Sequence, residues 1–181
     1  MMEFPYSLEE LEAWKIDLIE AIWVALTVKD TKWNLFLVLE KEKKAWKKPG
    51  QRSTVMETYE EKDKCLVTTV KRWLKEELWI NIDDWEKIWP EDMEIISYVY
   101  DSKNSKVYKV FLHLYDVALT DEQSKQALSF TNWEVEKVKL VDLEDLKLWK
   151  ISPLRPGTEE VFFWDYEPLF IIDGKTVAPK N

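Results

Sequence analysis

The sequence predicts an α+β fold, because segments with strand character and segments with helical character are mixed along one chain. Short runs rich in β-branched and aromatic residues are separated by polar turns. Residues 66–78 instead repeat their apolar side chains every three or four positions, which is the period of an α-helix. The chain has 181 residues, of which 46% are hydrophobic, and this is enough for one core. We therefore expect a single domain at residues 21–181, preceded by a helical prefix at residues 1–20.

Composition excludes several classes of protein. The net charge of −9 disfavours broad binding to DNA or to an anionic membrane, since both need a basic surface. One cysteine and one histidine exclude a disulfide scaffold, a Cys-rich zinc site and a multi-histidine metal site. The chain has only three glycines, which are too few and too far apart for a glycine-rich phosphate loop. No signal peptide or long apolar span is visible, so we expect a cytoplasmic protein.

The first elements are a helix and a hairpin. Ser7 and Glu10 have capping-box spacing, which predicts a helix that begins there and continues towards Ile19. Two apolar runs at 21–28 and 33–40 then flank a short polar segment, which is typical of a β-hairpin. A basic loop follows the hairpin and turns at Pro49-Gly50. Its cations are Lys41, Lys43, Lys44, Lys47, Lys48 and Arg52.

The segment at 66–78 is the clearest helix. Its apolar residues fall on one stripe at 100° per residue: Leu66, Val67, Val70, Leu74 and Leu78. Arg72 and Glu76 lie almost opposite this stripe, and Trp73 and Glu77 flank them. We expect the apolar stripe to pack on a sheet while Arg72 and Glu76 face away from it.

The remaining elements alternate between strands and short helices. The predicted strands are 93–100, 107–117 and 135–141, and the predicted helices are 120–128 and 143–149. We expect a turn or a short helix at residues 83–90. Residues 170–177 should form a terminal hairpin around Asp173-Gly174. His113 lies inside an apolar strand, where we expect a hydrogen-bonded core residue rather than a catalytic base.

Residues 35–40, Pro49-Gly50 and the run Arg72-Trp-Leu-Lys-Glu-Glu-Leu-Trp-Ile80 together resemble the Nudix hydrolase family. The family's box has the form G-x5-E-x7-R-E-U-x-E-E-x-G-U, where U is aliphatic. The Arg, the Glu-Glu pair and the aliphatic positions match, and the resemblance extends over roughly residues 21–162. It implies a Nudix-type α/β/α sandwich with a mixed central sheet.

Three positions depart from this box. Trp73 replaces its first helix glutamate and Trp79 replaces its glycine, so we expect the loop after the helix to be rebuilt. Gln51 stands where the first glycine of the box would be, and Glu57 follows it at the family's distance for the next glutamate. Fourteen residues then separate Glu57 from Arg72, where the family has seven. An indole offers no lone pair to a metal, which predicts an incomplete metal cluster.

The resemblance also implies roles for individual residues. Glu76 and Glu77 are the candidate ligands of Mg²⁺ or Mn²⁺ and the candidate catalytic carboxylates, with Glu57 as a substitute ligand. Arg72 would orient the glutamates, or it forms an ordinary ion pair one helical turn away. Lys41, Lys43 and Arg52 would bind substrate phosphates, or they only make the loop soluble. Further carboxylates that could contribute are Glu60, Glu61 and Glu134.

Two functions are compatible with these features. The first is a Nudix-type hydrolase of a nucleoside diphosphate linked to another moiety, with an atypical metal site. The second is a catalytically inactive module of the same fold that binds a nucleotide, an RNA end or a protein partner. A nucleotide is the expected small-molecule partner in both cases.

Overall fold

The computed structural model describes residues 2–28, 34–40, 52–83, 88–131, 135–142, 145, 158 and 167–180. Three α-helices lie in these ranges: α1 (Leu8–Ala13), α2 (Leu66–Leu78) and α3 (Asp121–Ser129). A 3-10 helix, Glu61–Asp63, precedes α2. The predicted capping box at Ser7 is present, and Thr120 and Gln123 form a second one at the start of α3. Each satisfies backbone N–H groups that the first turn of a helix leaves without a partner.

Eleven strands are described: β1 (Glu3–Ser7), β2 (Asp17–Val28), β3 (Asn34–Glu40), β4 (Arg52–Ser53), β5 (Val55–Thr58), β6 (Ile88–Asp101), β7 (Lys106–Leu119), β8 (Val135–Asp142), β9 (Leu169–Ile172), β10 (Lys175–Thr176) and β11 (Ala178–Lys180). Nine of them form one mixed sheet in the order β10-β9-β6-β7-β2-β3-β4, with β5 paired to β2 and β8 paired to β3. The predicted mixed central sheet of an α+β fold is confirmed.

The centre of the sheet consists of β2 and β7, which run parallel from Asp17↔Tyr108 to Val28↔Leu119. Alternate residues of these strands belong to two different cores. Ile22, Val24 and Leu26 pack with α2 on one face, and Ala21, Trp23 and Ala25 pack on the other face. This alternation follows from the period of two along a strand. We call the first of these faces the helix face.

Helix α2 packs on this face as its periodicity predicts. Val70, Leu74 and Leu78 are buried, Val67 is partly buried against the same core, and Glu76 is exposed. Trp73 is also buried in this core, although its position suggested a flanking side chain. The apolar stripe is therefore wider than the sequence period indicated.

A second unit covers the helix face farther along the sheet. Strand β1 pairs in parallel with β11, and α1 follows β1 directly. Phe4 and Leu11 from this unit pack on Tyr98 and Phe170 of the sheet. We call β1, α1 and β11 the terminal unit.

Several predicted boundaries were wrong. The first helix ends at Ala13 rather than near Ile19, because the chain from Asp17 onward pairs with β7. Ile88 to Pro90, predicted as part of a turn or short helix, belongs to β6 and pairs with β7. The terminal hairpin is confirmed, with Asp173 and Gly174 at positive φ in its turn. The predicted helix at 143–149 lies outside the described residues, except for Asp145.

Among the described residues, none of the helices has the length and apolar character that crossing a membrane requires.

Candidate functional site

Arg72 is the centre of a network at the start of α2. Its Nε donates to Oδ1 of Asp63 at 2.8 Å, and its Nη2 donates to Oδ2 of the same carboxylate at 2.9 Å. This two-pronged geometry is the strongest arrangement of a guanidinium and a carboxylate. Asp63 also accepts from the Thr69 hydroxyl at 3.0 Å and from the Glu60 backbone N–H at 3.2 Å. The three bonds from Arg72 and Thr69 hold the 3-10 helix against α2, and the bond from Glu60 caps the 3-10 helix itself.

Asp63 is only 2% exposed, yet it is charged. The hydrogen bonds from Arg72 are the main cause that lowers its pKa from 3.8 to about 2, and the Thr69 and Glu60 bonds act in the same direction. The same pair raises the pKa of Arg72 further above its ordinary value. The pair is therefore fully ionised at neutral pH.

Arg72 also reaches its predicted partner. Its Nη1 donates to Oε2 of Glu76 at 3.3 Å, one helical turn away. Its Nη2 donates to the carbonyl of Thr58 at 3.4 Å and lies 3.7 Å from a Glu60 carboxylate oxygen. Glu76 is more than half exposed, so this bond is weaker than the one to Asp63. Arg72 thus primarily orders the 3-10 helix and the end of β5.

Sequence reasoning missed Asp63. A signal was available, since Glu60 and Asp63 have the three-residue spacing of a capping box just before the first apolar residue of α2. Glu57, the predicted substitute metal ligand, lies on β5, where its Oε1 accepts from the Thr58 backbone N–H at 2.9 Å.

The predicted metal ligands do not assemble into a cluster in the described part of the chain. Glu76 and Glu77 both lie on α2 outside its buried stripe, Glu76 being exposed and Glu77 partly buried. Trp73 is 7% exposed within the core and offers no oxygen. No group of three or more His, Cys, Asp or Glu side chains there could hold a metal ion. Mg²⁺ is commonly held by one or two carboxylates together with substrate phosphates and water, so Glu76 and Glu77 would supply only part of such a site.

Trp79 overturns the expectation of a rebuilt loop. It adopts the left-handed conformation, at φ 56° and ψ 21°, which a glycine would normally occupy at the end of a helix. The N–H groups of Trp79 and Ile80 both donate to the Leu74 carbonyl. Its indole is 70% exposed and packs edge-on against Phe130, with centroids 5.5 Å apart. The outward indole and these contacts offset the cost of a positive φ.

Of the predicted phosphate-binding residues, Lys41 and Lys43 lie outside the described residues. Arg52 lies on β4, partly exposed, with its backbone opposite Leu39. The expectation that this basic loop borders the same concavity as Glu76 stays a prediction.

A cleft lies at the start of β2, between this strand, β7 and the end of β5. Its volume is about 520 Å³. Its lining is Leu18, Ile19, Glu20, Thr58, Tyr59 and Phe111. The register Glu20↔Phe111 and Ile22↔His113 places the side chains of Leu18, Glu20 and Phe111 on the same face as the core under α2, whereas Ile19 and Thr58 alternate to the opposite face. Thr58 is the residue whose carbonyl accepts from Arg72, so the cleft and the Arg72 network share a wall.

His113 lies beside this cleft between two carboxylates. Its Nδ1 is 3.3 Å from Oε1 of Glu94, and its Nε2 is 3.8 Å from Oε1 of Glu20. The Nε2 atom is buried and has no hydrogen-bond partner among the described residues. The expectation of a hydrogen-bonded residue in an apolar core was therefore wrong: the neighbours of His113 on this face are charged.

No protein-family model matches this sequence, and no curated protein matches it. Similar folds occur among solved structures. The Nudix domain of NrtR from Shewanella oneidensis, complexed with ADP ribose, is 17% identical with a TM-score of 0.55, and the match covers 88% of this chain and 90% of that one. The MutT protein from Methanosarcina mazei Go1 is 18% identical with a TM-score of 0.54, covering 85% and 96%.

A Nudix hydrolase from Nitrosomonas europaea is 12% identical with a TM-score of 0.52, and the match covers 84% of this chain and 88% of that one. Identities this low establish a common fold and leave activity open. All three matches extend over most of both chains, in agreement with the mixed sheet and the position of α2. This chain therefore has the Nudix fold.

Proposed function

We propose that this chain binds a nucleoside diphosphate derivative in the cleft beside Arg72 and hydrolyses it weakly or not at all. The observation that carries this proposal is the burial of Trp73. Its position matches the first glutamate of the family's helix motif, and its indole is part of the core beneath α2. A ligand-binding module is thus favoured over an ordinary hydrolase.

The chemistry explains why this position matters. Hydrolysis of a phosphoanhydride requires that charge on the bridging oxygens be neutralised and that a water molecule be presented to phosphorus, and Mg²⁺ or Mn²⁺ held by carboxylates supplies both. The Trp73 indole only donates a hydrogen bond, and it fills space in the core. Glu76 and Glu77 remain on α2 as the carboxylates that such an ion could use.

The cleft supports the binding half of the proposal. Its volume of about 520 Å³ lies within the range typical of small-molecule sites. Lys109 precedes Phe111 by two residues on the same face of β7, with its Nζ 5.3 Å from the Phe111 ring centroid. This ammonium group supplies positive charge for a phosphate near an otherwise acidic surface. The similar Nudix domain of NrtR binds ADP ribose, a ligand of this class.

Calorimetry and an activity assay test the two halves separately. We expect ADP ribose to bind the wild-type chain in the absence of metal. With millimolar Mg²⁺ or Mn²⁺, we expect turnover far below the enzyme median of roughly 10 s⁻¹. Lys109→Met should weaken binding, whereas Lys125→Met on the exposed face of α3 serves as the matched control and should not.

Turnover near that median, abolished by Glu77→Gln, would contradict the proposal and establish the hydrolase. Turnover untouched by both Glu76→Gln and Glu77→Gln would place the chemistry elsewhere in the chain. The hydrolase keeps one specific argument in its favour, which is that Glu76 still lies within hydrogen-bonding distance of Arg72, at 3.3 Å.

A further inference from the structure

We propose that the cleft selects nucleobases that carry an exocyclic amino group, with the Glu20 carboxylate as the acceptor and Phe111 and Tyr59 as the aromatic walls. This inference rests on the proposed function and specifies which part of the nucleotide occupies the cleft. Adenine, cytosine and guanine have such an amino group, and uracil and hypoxanthine do not. The two ligand classes are therefore distinguishable.

The walls of the cleft suit a flat, largely apolar ring. Two aromatic residues and two aliphatic ones make up four of the six lining residues. Base-aromatic contacts of this kind tolerate any base, because every base presents a π-face. Lys109 already lies over the Phe111 ring at one side. Aromatic contact therefore explains binding of a base but gives no selectivity.

Selectivity comes from the charge of the cleft. Glu20 contributes the carboxylate, and an ionised carboxylate only accepts hydrogen bonds. The separation of 3.8 Å between its Oε1 and His113 Nε2 is too long for a hydrogen bond. No hydrogen bond to its carboxylate oxygens is made within the described ranges of the chain, so Glu20 keeps acceptor capacity for a ligand. Its backbone is held in place, since the Tyr59 N–H donates to the Glu20 carbonyl at 2.9 Å.

Neighbouring groups reinforce this preference for a donor. Glu94 is bound to His113 at 3.3 Å, and together with Glu20 it places two negative charges beside one imidazole. A carbonyl oxygen of a base at this position would face a carboxylate without a proton between them, which costs free energy. An amino group instead forms a charge-assisted hydrogen bond. The same chemistry underlies acceptance of the cytosine amino group by acidic side chains.

Two pairs of ligands isolate the amino group. ADP and IDP differ at position 6 of the purine, and CDP and UDP differ at position 4 of the pyrimidine, where an amino group is exchanged for a carbonyl. Isothermal calorimetry should give Kd values about tenfold or more lower for ADP than for IDP and for CDP than for UDP, as expected for a hydrogen bond to a charged group.

Glu20→Gln should abolish most of this preference, because an amide both accepts from an amino group and donates to a carbonyl. Glu122→Gln, on the exposed first turn of α3, is the matched control and should leave the preference intact. Phe111→Leu should weaken all four ligands by a similar factor without changing their order. Unchanged melting temperatures for the variants would show that each is folded.

The two proposals fail in different ways. Equal affinity for ADP and IDP, unaltered in Glu20→Gln, would overturn base selection by this cleft and leave nucleotide binding standing. Tighter binding of IDP and UDP would overturn it equally. Failure of all four nucleotides to bind the folded wild-type chain would overturn the proposed function and this inference together.

Discussion

Asp63 is the residue on which the start of α2 depends most. Its carboxylate accepts four hydrogen bonds from three residues and is 2% exposed. A buried charge of this kind is tolerated only when its partners replace the lost hydration. Removal of the charge would leave the Arg72 guanidinium with Glu76 and Glu60, which are both largely exposed.

The lowered pKa of Asp63 predicts a pH dependence of stability. Because its pKa is about 2 in the folded chain and 3.8 ordinarily, the pair contributes its full stability above about pH 4 and loses it as the pH falls towards 2. The contribution is at most about 2 kcal/mol, since solvent screens part of the interaction. Asp63→Asn should lower the free energy of unfolding at pH 7, measured with urea, and the deficit should shrink between pH 4 and pH 2.

Glu61→Gln is the control for this measurement, because Glu61 is exposed on the same 3-10 helix. Its unfolding free energy should follow that of the wild type across the whole range. A deficit for Asp63→Asn that stays constant with pH would mean that the lost stability comes from packing rather than from the charge.

Trp73 gives the second prediction at this scale. Truncation of a buried tryptophan leaves a cavity, so Trp73→Ala should cost about 3–5 kcal/mol in unfolding free energy. Trp73→Glu should cost more, because it adds an unpaired buried charge to the cavity. Trp89→Ala is the control, since Trp89 is 49% exposed, and it should cost less than about 1 kcal/mol.

A folded and active Trp73→Glu variant would contradict the view that this position is committed to the core. The position would then be able to hold the carboxylate that the family's motif has there. The weak turnover expected of the wild type would be caused by the tryptophan at this one position.

At the scale of elements, α2 was the most predictable part of the molecule. Its apolar period predicted the burial of Val70, Leu74 and Leu78, though not that of Trp73, and both of its bounds agree with the segment 66–78. The reason is that the period of a helix is local and is written in one short window of sequence. Strand β2 was less predictable at its start, because residues 17–20 become strand only through their pairing with β7.

The end of α2 makes a separate prediction. Trp79→Gly should be more stable than Trp79→Ala by about 1 kcal/mol, because glycine adopts the left-handed conformation without the steric cost that alanine incurs. Both variants lose the contact with Phe130, so this loss cancels in the comparison. Thermal unfolding of the two variants measures the difference.

Lys75 provides the opposite case on the same helix. It is exposed at a helical position, so Lys75→Gly should be less stable than Lys75→Ala by about 1 kcal/mol. If glycine is the poorer residue at both positions, Trp79 does not hold the left-handed conformation in solution.

At the scale of the whole molecule, the cleft could not be predicted from the sequence. Glu20, Glu94 and His113 are far apart along the chain and have no common motif. They meet only because β2 runs parallel to β7 while β6 runs antiparallel to it, with Ile22 and Glu94 both opposite His113. Strand pairing over such separations is decided by the complete fold rather than by local pattern.

The terminal unit is also a feature of the complete fold, and it carries a prediction. Phe4 is 1% exposed and meets Phe170 edge-on, with centroids 5.2 Å apart. Phe4→Ala should destabilise the chain by about 3–5 kcal/mol, and Met2→Ala, at a position 61% exposed, should not. Amide hydrogen exchange should then rise first in β1, β11 and β9. Uniform exchange throughout the sheet would contradict a separate unit.

Parallel pairing of β1 with β11 brings the two ends of the described chain together. Glu3 lies opposite Ala178 and Ser7 opposite Lys180, so residues 3 and 180 are separated by about 10 Å along the strands. Because the two strands run parallel, a linker from residue 180 back to residue 3 has to cross over them, which takes about a dozen residues. With such a linker, a circular permutant of residues 3–180 opened between Lys103 and Asn104, in the exposed turn after β6, should fold to the same sheet.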